Sequence, residues 1–186
     1  MIGNDIIDLS ISLSSKKQEN TRYLKKVFSE GEINTIKTSK HPEMALWQFW
    51  SMKEAAYKAH QRKFNLSRKL NPLQYICSLD PKSNSGFVRT NDQIYPVHTE
   101  VSEKYIHSSV HSEQNFQKIY YNDFYSEKKL LQNLASVFSL DEAFVSLLKN
   151  CNGIPSIHLK NEDKILPISL SHHGNFTAFV IPLINS

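Results

Sequence analysis

The sequence predicts an α+β protein, and three observations carry that prediction. Helical patterns cluster early, over about residues 21–62. Short β-branched and aromatic runs, separated by turn residues, fill the stretch from Leu73 to Val110. A second helical region then precedes a closing pair of apolar strands.

In order along the chain, Ile2 to Leu9 reads as a short buried strand, with Ile6, Ile7 and Leu9 interleaved with two aspartates. Residues 10–20 are rich in serine and lysine and read as a loop. "RYLKKVFSEGEINTIKTS" is helical in two pieces, the second opened by a capping box from Ser29 to Glu32. Pro42 suits a first helical turn, so a long helix is expected from about Pro42 to about Arg62. Leu73–Ser78, Gly86–Thr90, Gln93–His98 and Lys104–Val110 read as a meander of strands. The polar, tyrosine-rich stretch 111–125 reads as a connector. Glu127–Phe138 is amphipathic, with Leu130, Leu131, Leu134, Val137 and Phe138 at helical spacing. Ser139 to Glu142 resembles another capping box, opening a helix to about Lys149. Ile157–Leu159, Ile165–Ser171 and Phe176–Ile184 read as strands, with "SHHGN" as a tight polar turn between the last two.

Composition excludes several classes. The 186 residues allow one domain or two small lobes. No run of eighteen apolar residues exists, so no membrane span is expected, and "MIGNDIIDLS" lacks the pattern of a secretory signal. The two cysteines, Cys77 and Cys151, lie far apart and suggest neither a disulfide framework nor a zinc site; a reducing, cytoplasmic setting fits them. Residues 1–69 hold 13 Lys/Arg against 7 Asp/Glu, whereas residues 70–186 hold 9 against 11. A basic first third favours an anionic partner or is simply a solvated surface. Nucleic-acid binding is not expected, because the strand-rich middle lacks the basic, aromatic character of RNA-reading sheets.

Three polar points interrupt apolar context. Asp5 and Asp8 sit on the opening strand, where their spacing points them to opposite faces. Asp5 is the better inward candidate, and its plain alternative is a structural cap or pair. Lys53, Glu54 and Lys58 lie on the long helix just after Trp47, Phe49 and Trp50. The four-residue spacing of Glu54 and Lys58 equally suits an exposed salt bridge, which stabilises a helix by about 0.3–0.5 kcal/mol. Ser171 and His172 end a strand before Gly174, where hydroxyl, imidazole and backbone N–H groups could together receive a phosphate. Their plain alternative is a hydrogen-bonded structural pair.

Taken together, these points resemble the 4′-phosphopantetheinyl transferase superfamily. "GNDIIDL" resembles its first motif, "WSMKEAAYK" its second and "ISLSHHGNFTAFVI" its Ser-His segment; "RYLKKVFSEGEI" is similar to the helical region between the first two. The motif order is that of the small holo-acyl-carrier-protein synthases. The length, together with "YIHSSV" and the last third, is similar to the larger, two-lobed type with its halves exchanged. The resemblance implies a phosphopantetheinyl transferase fold of two similar α+β lobes. These would be a lobe over 1–110 with the Gly-x-Asp and Lys-Glu motifs, the connector 111–125, and a lobe over 126–186 with the Ser-His segment. It favours a monomer over a trimer.

The resemblance also implies a reaction: Mg²⁺-dependent transfer of phosphopantetheine from coenzyme A to a serine of an acyl or peptidyl carrier protein, with Mn²⁺ as a possible substitute. Asp5 and Glu54 would be the metal ligands, Glu54 and Lys58 the catalytic pair, and Lys53, Lys58, Ser171 and His172 the coenzyme A contacts. An acidic carrier protein would dock on Arg22, Lys25 and Lys26. Asp8 is a weaker candidate and His173 has no assigned role. Gly153-Ile154-Pro155 stands where a Gly-Lys-Pro is common, so that lysine's contact is absent. The alternative is an inactive nucleotide-binding or interaction protein of the same fold.

Overall fold

In the computed structural model, which describes residues 1–80, 85–110, 115–121 and 125–182, two hydrophobic cores lie side by side. The first core is built by a long helix, α4 (Pro42–Phe64), laid across a five-stranded antiparallel sheet. Its strands are β1 (Asn4–Asp8), β2 (Ile76–Leu79), β3 (Ser85–Thr90), β4 (Gln93–Val101) and β5 (Tyr105–Val110), in the order β1-β5-β4-β3-β2. Leu46, Phe49, Met52 and Ala56 of α4 meet Val88, Tyr95, Val97 and Ile106 of the sheet. The short helix α1 (Leu9–Ser12), α2 (Thr21–Val27) and α3 (Glu30–Thr38) complete this half. The predicted capping box is present: Ser29 Oγ accepts from the Glu32 N–H, and the Glu32 carboxylate accepts from the Ser29 N–H.

The second core packs α5 (Glu127–Phe138) on two three-stranded antiparallel sheets. One is β7 (Val145–Lys149), β8 (Pro155–Leu159) and β9 (Lys164–Pro167); the other has the order β10-β11-β6, from β6 (Asn115–Tyr121), β10 (Ser169–His173) and β11 (Phe176–Pro182). Between the two cores, Ile6 of β1 packs with Phe176 and Ala178 of β11. Each half is thus helix on antiparallel sheet, the α+β class the sequence predicts. No helix among the described residues is long and apolar enough to cross a membrane. Cys77 is buried and Cys151 exposed, and both are free thiols.

Four local expectations need correction. Residues 10–20 form short helical turns rather than a loop, because Asp8 caps α1 by accepting from the Ser10 N–H. Residues 115–121, inside the expected connector, form β6 and pair with β11; Phe116 and Tyr120 face the second core, and the intervening polar residues disguise the alternation. The rest of that connector, 111–114 and 122–124, lies outside the described residues.

The helix expected from Ser139 to Lys149 is absent. Ser139 is the left-handed cap that ends α5 (φ 54°), and Asp141 starts only one 3₁₀ turn before Val145–Lys149 pairs with β8. The strand expected over Ile165–Ser171 is two strands in different sheets, broken at Pro167 and Ile168; proline lacks the N–H a continuing ladder needs. The last strand is described to Pro182.

Candidate active site

The site forms where α4 crosses β1. Gly3 permits that crossing: a Cβ there would lie 2.2 Å from the Ala55 carbonyl oxygen and 2.6 Å from the Ala59 nitrogen. The helix backbone therefore lies directly on the start of β1, so Asp5 and the Glu54–Lys58 face are brought together. Lys58 Nζ donates to Asp5 Oδ1 at 3.1 Å and to the Asn4 carbonyl at 2.9 Å. Ser51, one turn before Glu54, donates to the Asp5 carbonyl at 3.3 Å.

The second half reaches the same carboxylate through β10. β5 takes one edge of β1, which leaves the N–H groups of Asn4, Ile6 and Asp8 pointing away from the sheet. Alternate side chains of β10 satisfy them: Ser169 Oγ accepts from Asn4 at 2.9 Å, Ser171 Oγ from Ile6 at 3.0 Å, and His173 Nδ1 from Asp8 at 2.9 Å. Ser171 in turn donates to Asp5 Oδ1 at 2.8 Å. Its hydroxyl is therefore committed to holding Asp5, although Ser171 also lines the crevice. His173 acquires a structural role the sequence reading did not assign.

A crevice of about 630 Å³ lies between the halves, lined by Glu54, Lys58 and Arg68 on one side and Lys149, Ser171 and His172 on the other. A smaller cavity of about 330 Å³ adjoins it and reaches Asp5, sharing Glu54, Lys58, Arg68, Ser171 and His172. Burial pushes the Glu54 carboxyl up to about 7; the charge of Asp5 adds to the rise, and Lys58 and Arg68 oppose it. His172 turns its Nδ1 toward the Phe176 carbonyl at 3.2 Å, so that nitrogen carries a proton, and its ring lies 5.1 Å from that of Tyr125.

Lys53 must be corrected. It sits next to Glu54 in sequence, but one step along the helix turns it about 100° away from the crevice face. There it is fully buried, and its Nζ donates to Glu32 and to the Pro72 and Tyr75 carbonyls. It does not line the crevice. Asp8 lines neither cavity: it accepts from Ser10 and from the Asn175 N–H, fixing the turn after β10. Burial raises its carboxyl, but these hydrogen bonds outweigh burial and leave it lowered. Arg22, Lys25 and Lys26 lie exposed on α2, outside the crevice lining.

Sequence reading missed Arg62, Arg68 and Lys149. Arg62 had a signal, since residues 54, 58 and 62 recur at four-residue intervals and share one face of α4. It lines the crevice and donates to the Pro155 carbonyl at 2.8 Å. Arg68 and Lys149 had none, because only the tertiary fold brings the segment after α4 and the end of β7 to the crevice.

A divalent metal fits the donor set. Among the described residues no donor reaches the buried Asp5 Oδ2, and burial first, with the charge of Asp5 second, raises the Glu54 carboxyl to about 7. Among the described residues no group of three or more His, Cys, Asp or Glu is arranged for a metal; two carboxylates are a donor set of the size that magnesium accepts from a protein when water and phosphate oxygens complete its shell.

Residues 1–121 match the model of the ACPS family, the 4′-phosphopantetheinyl transferase superfamily. No curated protein matches the chain. Among solved structures, Helicobacter pylori holo-[acyl-carrier-protein] synthase in complex with coenzyme A matches at 16% identity over 99% of this chain and 100% of that chain, with a TM-score of 0.29. That score is too low for the likeness to bear on fold or function.

Proposed function

Because the chain belongs to the 4′-phosphopantetheinyl transferase superfamily, we propose that it moves the 4′-phosphopantetheine group of coenzyme A onto a serine hydroxyl of an apo carrier protein. The observation that carries this reading is the gathering of Asp5, Glu54 and Lys58 at a small cavity that shares Glu54 and Lys58 with a crevice large enough for a nucleotide-sized ligand.

Asp5 and Glu54 would hold Mg²⁺, which when bound supplies positive charge at the coenzyme pyrophosphate. Lys58, Arg68 and Lys149 add cationic charge around the same space, so a ligand carrying several phosphates is favoured over a neutral one. His172 lines the crevice with Nδ1–H held by a carbonyl, which leaves Nε2 as the nitrogen free to bond a ligand. Glu54, directly or through a water it orients, would take the proton of the carrier serine as the serine oxygen bonds to the pantetheine-bearing phosphorus. The bond from that phosphorus to 3′,5′-ADP breaks, and the cationic groups hold the charge of the departing nucleotide.

Carrier proteins of this class are acidic, and the exposed cations Arg22, Lys25 and Lys26 on α2 offer them a docking surface. Both walls of the crevice come from one chain, so a monomer suffices for the reaction. Light scattering at the mass of one chain is the expected result, and an obligate trimer would count against this.

The deciding experiment is mass spectrometry of apo acyl and peptidyl carrier proteins incubated with the protein, coenzyme A and Mg²⁺. The expected result is a gain of one phosphopantetheine that a chelator abolishes. Coenzyme A binding without transfer to any carrier would favour the inactive nucleotide-binding alternative.

A further inference from the structure

The crevice has an end that catalysis does not explain. α4 finishes at Asn65, whose backbone is left-handed (φ 49°, ψ 46°). Asn tolerates that conformation better than most residues with a side chain. Across from it lies the turn between β7 and β8, whose Gly153, Ile154 and Pro155 line the crevice together with Gln61 and Arg62 of α4.

Side-chain amides join the two. Asn150 Nδ2 donates to Asn65 Oδ1 at 2.9 Å. Asn152 Nδ2 donates to the Asn65 carbonyl at 2.7 Å and to Asn65 Oδ1 at 3.1 Å. Gln61 Nε2 donates to the Asn152 carbonyl at 3.2 Å. The turn itself is organised by the other end of the Asn150 amide, whose Oδ1 accepts from the Asn152 and Ile154 N–H groups, each at 3.0 Å.

We infer that Asn65, Asn150 and Asn152 form a latch that holds the 150–155 turn against the end of α4 and thereby fixes this wall of the crevice. Its ligand consequence rests on the coenzyme A reading above. The three asparagines are positioning residues: the latch acts through Gly153, Ile154 and Pro155, which line the crevice. The same helix carries Glu54, so the latch also sets where the far wall stands relative to the chemical end. The bonds are solvent-exposed, so the latch is individually weak and acts on geometry more than on global stability.

The latch has a polarity that makes it testable. Across the latch Asn65 accepts through its Oδ1 and carbonyl oxygens, whereas the Asn152 side chain donates through Nδ2. Asn65→Asp keeps the acceptor oxygens and the tolerance for the left-handed backbone. Asn152→Asp removes both donors and sets a carboxylate against two oxygens. Asn65→Gly keeps the backbone conformation and removes the side-chain acceptor.

The experiment combines hydrogen exchange of the 150–155 amides with steady-state kinetics and coenzyme A titration on the full chain. For Asn152→Asp we expect faster exchange in that turn and a roughly tenfold rise in KM and Kd for coenzyme A, with kcat within about twofold. Asn65→Gly should behave in the same direction, and Asn65→Asp should stay near wild type in both measurements. Equal exchange in Asn65→Asp and Asn152→Asp overturns the latch. Faster exchange with an unchanged Kd overturns its hold on the crevice. A wild-type chain that binds no coenzyme A would instead sink the functional reading, and exchange would still decide the latch.

Discussion

Lys53 Nζ lies 2.9 Å from Glu32 Oε2 in an ion pair whose side chains are 0% and 2% exposed. The pair is fully bonded: Lys53 also donates to the Pro72 and Tyr75 carbonyls, and the second Glu32 oxygen accepts from the Cys77 N–H at 2.8 Å. It ties α3, α4 and the start of β2 together behind the site.

Lys53→Met should therefore cost stability and spare ligand affinity. It leaves the Glu32 carboxylate buried without its cation, a loss of about 3–5 kcal/mol. Adding Glu32→Gln to Lys53→Met should recover part of that, because the stranded charge is gone. Urea denaturation gives the stabilities and coenzyme A titration the affinity. A stable Lys53→Met protein with sharply weakened coenzyme A binding would return Lys53 to the phosphate-contacting role its neighbourhood to Glu54 suggests.

Ser171→Ala tests whether the serine is a scaffold for Asp5. The hydroxyl accepts from Ile6 and donates to Asp5, so its removal strands a buried N–H and takes one donor from a buried carboxylate. A loss of about 1–3 kcal/mol is expected. A serine that only touched ligand would leave the denaturation midpoint of the free protein where it was.

These two residues show what could be read from the sequence and what could not. The long helix, the capping box at Ser29 and the amphipathic α5 were legible because each depends on local spacing. The Gly-x-Asp, Lys-Glu and Ser-His motifs were legible as candidates, and the fold does gather Asp5, Glu54, Lys58, Ser171 and His172 around adjoining cavities. Lys53 was misread because adjacency in sequence is not adjacency on a helix: a step of one residue turns the side chain by about 100°. The bond from the Ser171 hydroxyl to Asp5 could not be read from the sequence, because its partner lies 166 residues away, on a strand edge no local pattern reveals. The 145–149 strand was missed for the converse reason, since a polar Ser-Leu-Asp-Glu run suggests a helix start that the left-handed Ser139 in fact uses to end one.

The Glu54 carboxyl gives a pH signature to the metal-free protein. Its folded value of about 7 stands above the ordinary 4.5, so between those values the folded state binds more protons than the unfolded state. Stability from this group is present below about pH 4.5 and declines as pH rises through about 7. Glu54→Gln should remove the decline, gaining at most about 3 kcal/mol over wild type at pH 8 and little at pH 4.5. Thermal melts across that range measure it. Added Mg²⁺ should stabilise wild type at pH 8 more than Glu54→Gln. Parallel pH curves for the two proteins would mean that Glu54 is not strained by burial and by Asp5.

Gly3→Ala places the final demand on the crossing that creates the site. The new methyl would lie 2.2 Å from the Ala55 oxygen, 2.6 Å from the Ala59 nitrogen and 2.8 Å from the Ala59 Cβ. Two of the three atoms are helix backbone, which cannot rotate away as a side chain would. The helix must therefore lift from β1, or β1 must shift against β5, where the Gly3 carbonyl accepts from Val110. Either movement separates the Glu54–Lys58 face from Asp5. A destabilisation of about 3 kcal/mol or more is expected, with loss of Mg²⁺-dependent stabilisation in whatever fraction folds. Ala59→Gly in the same chain should rescue little, since it relieves only the Cβ contact and leaves both backbone contacts in place. Full rescue by Ala59→Gly would show that side-chain bulk, and not the approach of the helix backbone, sets the distance between α4 and β1.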